Sequence, residues 1–396
     1  MKSRMTSQSR RSLGFTLVEL LIVMGIMVIL AAVTLPSLKS LLSGQKVSEA
    51  ARIVSTYAEN CKARAVTTGR PVSLILERAS YSADGGLGST NMCLRLSMGD
   101  VFPAYQGDYA SASGWLSDPD GDGVLDALDI PIAEAATLAE VTGFVEAQDL
   151  IEIGVSRQRY LIREAPTTWT VTDPVSGTSI PVVRVKFMLE LPRDEGGLPT
   201  ARGANNALSQ QRFPFRIYRK PSKSMAGSVR LPRGTCIDLH MSGLGPAGRQ
   251  FSSDMISLSS DTYPPDVSTG NWDYGPIYII FGPTGQAETW YRQQRFSDGS
   301  TTFARGRPGG LIHLLIGRTE QVASPRFDSV AAMSAAEGSL SNIMDAENSW
   351  VTINPYTGGI SSSSMPAPSA ATMSSIDARV IEARTLATNA LSEPTL

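Results

Sequence analysis

The sequence predicts an α+β protein: one long N-terminal helix, its first half apolar enough to cross a membrane, packed on a mostly antiparallel β-sheet head. Three observations predict it. Residues 1–14 are polar and basic and carry no acid, and an apolar run follows from Phe15 to Leu35. Apolar residues then recur at three- and four-residue steps as far as Ala65, the signature of a helix with one buried face. Beyond Gly69 and Pro71 the chain breaks into short runs rich in Val, Ile and aromatics, separated by Gly, Pro, Ser or Asp. A long helix followed by many short strands is the order expected of a helix laid on a sheet.

The first element is the N-terminal helix, residues 15–69. The stretch 15–35 is long enough to span a hydrocarbon core, and Glu19 is its only charge. Lys2, Arg4, Arg10 and Arg11 place the N-terminal side in the cytoplasm. A secretory signal has a shorter apolar core and no amphipathic extension. Here Leu38, Leu41, Leu42, Ala50, Val54, Tyr57, Ala58, Cys61 and Ala65 continue the pattern, and Gly69 with Pro71 ends it. The whole helix would reach roughly 80 Å at 1.5 Å per residue.

The head, residues 70–360, carries strand signals at 70–77, 91–97, 159–164, 168–172, 181–191, 213–219, 236–241, 276–281, 311–316 and 350–353. Large insertions are expected around 98–160 and 190–212. The tail, residues 361–396, is rich in Ser, Ala and Pro and reads as a flexible linker followed by a short amphipathic helix from Ile376 to Leu391.

With 396 residues, 42% apolar, the chain can bury a real core in one large or two medium domains. A net charge of −2 gives no sign of a nucleic-acid binder. Cys61, Cys93 and Cys236 are too few for a disulfide scaffold and lack metal-type spacing; in an oxidising compartment two of them can pair. Two histidines, His240 and His313, restrict imidazole chemistry. No P-loop, zinc-protease helix, paired Cys-x-x-Cys or nucleophile elbow is present; Gly243-Leu-Gly-Pro-Ala-Gly248 has Pro246 inside it, and the following Arg249-Gln-Phe-Ser-Ser does not read as a helix start. The expectation is a non-enzymatic protein.

Charge is unevenly spread. Residues 96–156 contain no Lys or Arg, and residues 196–237 contain no acid. The plain reading is two solvated surfaces. A sharper one is complementary patches that orient neighbouring molecules. A third puts DNA phosphates on the basic stretch through Arg216, Arg219 and Lys220, against which the neutral overall charge weighs.

Within the acidic stretch, residues 118–129 read DPDGDGVLDALD. Asp118, Asp120 and Asp122 stand at positions one, three and five of a calcium loop, Gly123 at the sharp turn, and the Val124 carbonyl at seven. Asp126 stands at nine and Asp129 at twelve, where Glu is usual. A hard cation such as Ca²⁺ wants oxygens at this alternate spacing. The expectation is one weak, isolated Ca²⁺ site with Leu125 anchoring the loop on the core.

The stretch Gly14-Phe15-Thr-Leu-Val-Glu19-Leu-Leu21 closely resembles the type IV prepilin processing site, with Pro36 where pilins commonly kink. The resemblance implies a pilin-like fold and a leader, residues 1–14, removed by a prepilin peptidase between Gly14 and Phe15. It also implies N-methylation of the Phe15 amine and filament partners of the same kind. Ala63-Arg-Ala-Val-Thr-Thr-Gly69 leading into a strand, Val229–Leu239 and Ile280–Gly285 resemble motifs of H-type minor pseudopilins of type II secretion. That implies a subunit held by one span in the inner membrane, N-terminus cytoplasmic and head periplasmic, that assembles into a pseudopilus. The alternative is a DNA-uptake or adhesive minor pilin. The physical logic stands beside the name: a new cationic amine at Phe15 and the carboxylate of Glu19 can pair between neighbouring helices, and a paired buried charge costs far less than a lone one.

Overall fold

The computed structural model describes residues 17–79, 91–121, 124–147, 149–154, 159–188, 208–225, 227–252, 275–295, 301–322, 340–369 and 375–392. It is an α+β structure. Helix α1 (Leu17–Thr68) is followed by β1 (Val72–Arg78), β2 (Met92–Asp100), β3 (Ser113–Ser117) and β4 (Ala127–Pro131). Next come the short helix α2 (Ala136–Glu140), β5 (Leu150–Ile153), β6 (Arg159–Ile162), β7 (Thr167–Thr172), β8 (Ser179–Met188) and β9 (Leu208–Tyr218). The chain continues through β10 (Ser222–Lys223), β11 (Val229–Arg230), β12 (Thr235–Leu244), β13 (Ile277–Phe281), β14 (Ala287–Arg295) and β15 (Thr301–Gly306). It closes with β16 (Ile312–Arg318), β17 (Ser349–Ile353), β18 (Ile360–Ser364) and α3 (Ile376–Ser392).

The larger sheet has eleven strands in the order β15-β14-β13-β1-β2-β12-β16-β17-β18, with β10 and β11 also on β2, and its pairings are antiparallel. It curls around the second half of α1, which touches seven of these strands. The helix face that makes this possible is small: Val47, Ala50, Ala51, Val54, Ala58, Cys61 and Ala65 are buried against Leu74, Leu76, Ile237, Ile279, Leu314 and Val351. Alanine at these steps lets strands approach the helix axis from several sides. The curl nearly closes at one end, where the Ala287 amide donates to the Pro355 carbonyl at 3.0 Å. Gly358, at φ +67, lies against the Gly285 carbonyl, and a Cβ there would strike it.

The second sheet answers the question of the insertions. Strands β4-β3-β9-β5-β6-β8 follow one another, and β8 pairs back onto β4, so the six close into a barrel, with β7 in line with β6 along the same edge of β8. Closure removes the exposed edges. The barrel arises wholly between β2 and β10 and holds its own core of Leu116, Leu128, Ile130, Ile151, Tyr160, Val183, Val185, Phe187, Phe215 and Ile217. It meets the outer face of the large sheet through Leu150 and Leu161 against Ile75 and Tyr278. On the same outer face, further along, α3 covers Met241, Leu315 and Trp350. Two buried arginines tie α3 down: Arg379 donates to the Ile343 carbonyl at 3.0 Å, and Arg384 donates to the Met241 carbonyl at 2.9 Å.

Two expectations are corrected here. The tail does not begin as a linker at Ser361, because Ile360–Ser364 pairs with β17 as the sheet's last strand. The cysteines do not pair: Cys61, Cys93 and Cys236 are free, buried thiols, and burial pushes those of Cys61 and Cys93 up to about 12.

Candidate functional site

From Leu20 to Leu30 helix α1 is apolar all round. Every side chain from Leu20 to Leu30 is exposed, with Leu21 at 66% and Leu30 at 59%. A helix without a polar face is normally enclosed by lipid or by other protein. Burying each Leu, Ile, Val or Met is worth about 1.5–3 kcal/mol. Among the described residues no helix is long and apolar enough to cross a membrane; side chains 31–43 lie outside them, and 31–35 of these belong to the expected span. Gly14 and Phe15 also lie outside the described residues, as does the side chain of Glu19, whose backbone belongs to the first turns of α1. At the other end of the helix Arg64 pairs with Asp100 of β2 at 3.2 Å, so the Ala63-Arg64-Ala65 stretch pins helix to sheet.

The acidic loop is built differently from the expectation. Asp118 is buried and its carboxylate accepts the Gly121 amide at 2.7 Å, which makes a tight turn. Leu125 is buried in the barrel core, as an anchor should be. Asp120 is exposed, Val124 is 40% exposed, and the Asp126 carbonyl accepts the Phe187 amide. Asp122 lies outside the described residues. Asp129 already has a partner: it sits in β4, fully buried, and takes two parallel bonds of 2.8 Å from Arg184 of β8. The residue at loop position twelve is thus held by an arginine, and among the described residues, which leave out Asp122 and Gly123, no group of three His, Cys, Asp or Glu is placed to hold a metal.

The acidic and basic stretches meet inside the chain. Arg212 pairs with Glu134 at 2.7 Å and Lys220 with Glu146 at 2.7 Å. Arg219 lies between the rings of Phe102 and Phe144, at 4.3 and 4.4 Å. Arg216 stands opposite Glu152 in the β5–β9 ladder and is exposed. Of the three candidate DNA contacts, then, Lys220 is paired and Arg219 is held by aromatic faces. Arg212 and Lys220 thus find acidic partners within the chain, while Arg216 stays exposed. The signal of these pairs was in the sequence as complementary runs, but the pairing needed the fold.

Residues 9–35 match the prokaryotic N-terminal methylation motif, which is characteristic of type IV prepilin-like proteins. The motif implies processing by a prepilin peptidase and pilin-like filament partners. No curated protein and no solved structure matches the chain.

Proposed function

We propose that the protein is a structural subunit, without enzymatic activity, of a type II secretion pseudopilus or a related type IV pilus-like filament. In this reading residues 15–35 hold it in the inner membrane as one span before assembly, with the head in the periplasm. The observation that carries the proposal is the methylation motif running into a helix segment, Leu20–Leu30, that is apolar on every face and exposed. A helix of that kind has two stable environments, the lipid bilayer and a bundle of its own kind, and a filament subunit moves from one to the other. The sheet packs round the far half of α1, while the side chains from Leu20 to Leu30 are left exposed. The H-type minor pseudopilin is favoured within this class by the Arg64–Asp100 pair, which gives the quoted helix-end motif a structural job.

Glu19 would take the methylated Phe15 amine of a neighbouring helix and so set the axial step. Glu19→Ala tests it: insertion into the membrane should persist, since a charge has been removed from an apolar span, while recovery in sheared filaments should fall at least ten-fold. Wild-type recovery from the mutant excludes the pairing.

A further inference from the structure

The large sheet ends on β18, and among the described residues no charge, proline or bulge lies within that edge strand. Exposed edges are commonly protected by charge, proline or a bulge. β18 reads Ile360-Ser-Ser-Ser-Ser364, and its ladder with β17 runs without a shift from Ile353↔Ile360 to Ser349↔Ser364. The phase of the ladder is fixed by two bonds, Met365 amide to Asn348 carbonyl at 2.9 Å and Asn354 amide to Gly359 carbonyl at 2.8 Å. In an antiparallel pair every second residue bonds to the partner and the next one faces away. Residues 361 and 363 therefore bond to β17, and Ile360, Ser362 and Ser364 direct their amides and carbonyls outward. Among the described residues no strand pairs with this edge.

The edge opens into a groove of about 640 Å³ between β18 and α1, with Gln45, Glu49, Arg52 and Ser55 on the helix side and Ser362 and Ser364 on the strand side. The hydroxyl of Ser55, on the helix wall, has no hydrogen-bond partner among the described residues. At the far end the curl is closed by the Ala287–Pro355 bond, so the groove is open at the end nearer the apolar half of α1.

We propose that β18 receives an extended strand from the neighbouring filament subunit, paired main chain to main chain and lying in the groove against α1. The proposal rests on the filament reading above. The chemistry selects the occupant: outward amides and carbonyls at a two-residue repeat are matched by an extended polypeptide, and polar walls do not suit an apolar helix or lipid. Position selects the source, because Gln45–Ser55 follows directly on the part of α1 that a filament bundles, where the next subunit must pass.

The test uses the full-length chain in cells that assemble its filament. Ser362→Pro removes one outward amide, breaks no bond to β17 and places a ring in the partner's lane. Ser364→Lys adds a charge to the edge. Both variants should be processed normally and keep the melting temperature of the detergent-solubilised wild type, yet enter sheared filaments at least ten-fold less. A benzoylphenylalanine at Ser364 should cross-link to an extended segment of a subunit that itself bears the methylation motif. Wild-type incorporation of Ser362→Pro and Ser364→Lys overturns the proposal while leaving the filament reading intact. So do cross-links confined to proteins without the motif. Absence of the wild-type chain from filaments overturns both readings together.

Discussion

Replacing Asp129 by Asn separates an ion pair from a metal ligand. The Asp129 side chain is 0% exposed and that of Arg184 10%, and two 2.8 Å bonds join them as a fork. Asn keeps the shape, removes the charge, and turns one acceptor into a donor aimed at a guanidinium. Breaking a buried pair by removing one partner costs about 3–5 kcal/mol, because the other charge stays buried. The Trp169 ring, 5.3 Å from the Arg184 guanidinium, still offers a cation–π contact worth about 1 kcal/mol, so the lower end, about 3 kcal/mol, is expected. Denaturant unfolding of the detergent-solubilised full-length chain measures it. Asp129→Leu combined with Arg184→Met should recover most of the loss, since a well-packed apolar pair is often no less stable than a buried ionic one. In the same preparation any heat of calcium binding, expected in the range of roughly 10⁻⁴–10⁻³ M, should survive Asp129→Asn and vanish in Asp120→Ala with Asp122→Ala. A stability loss under about 1 kcal/mol, with calcium heat abolished by Asp129→Asn, would refute the assignment of Asp129 to Arg184.

Two further outcomes are expected. Burial, reinforced by Arg384, holds the His313 imidazole down at about 3, so the folded chain binds this proton less readily than the unfolded one. Its contribution is present above the ordinary histidine value and lost as pH falls from about 6.5 towards the folded value, at up to about 1.4 kcal/mol per pH unit. Asp238, raised by burial, acts with the opposite sign over part of this range; the difference between wild type and His313→Gln in thermal melts from pH 7 to pH 4 isolates the histidine, and parallel curves would refute it. In gel shifts the full-length chain should bind DNA weakly and only at low salt, since Lys220 is paired with Glu146 and Arg219 is stacked. Tight binding at physiological salt that is lost on changing Arg216, Arg219 and Lys220 to Ala would restore the DNA-uptake reading.

The helix was legible because its small residues repeat at the helical period from Val47 to Ala65, and period is a local property. Strands such as β1, β8, β13, β16 and β17 were legible as Val- and Ile-rich runs between turn residues. The barrel was not, because its closure depends on β4 finding β8 and β3 finding β9 across long stretches of chain, and no local pattern states a partner. The same reason explains Asp129: alternate carboxylates look alike whether the counter-charge is a metal or an arginine 55 residues away. β18 was read as linker because four serines signal a loop by composition; its strand state comes from β17 beside it and from α1 and α3 on its two faces.

The central claim is that the N-terminal segment is a processed filament helix, and the mature N-terminus tests it most directly. Mass spectrometry of the membrane-extracted protein should find a chain beginning at Phe15 with a methylated amine, and Gly14→Arg should leave the leader attached. A chain that begins after Ala31 or Ala32, small residues at which a secretory signal would be cut, or that keeps residues 1–14 in the presence of an active prepilin peptidase, would exclude a processed filament helix.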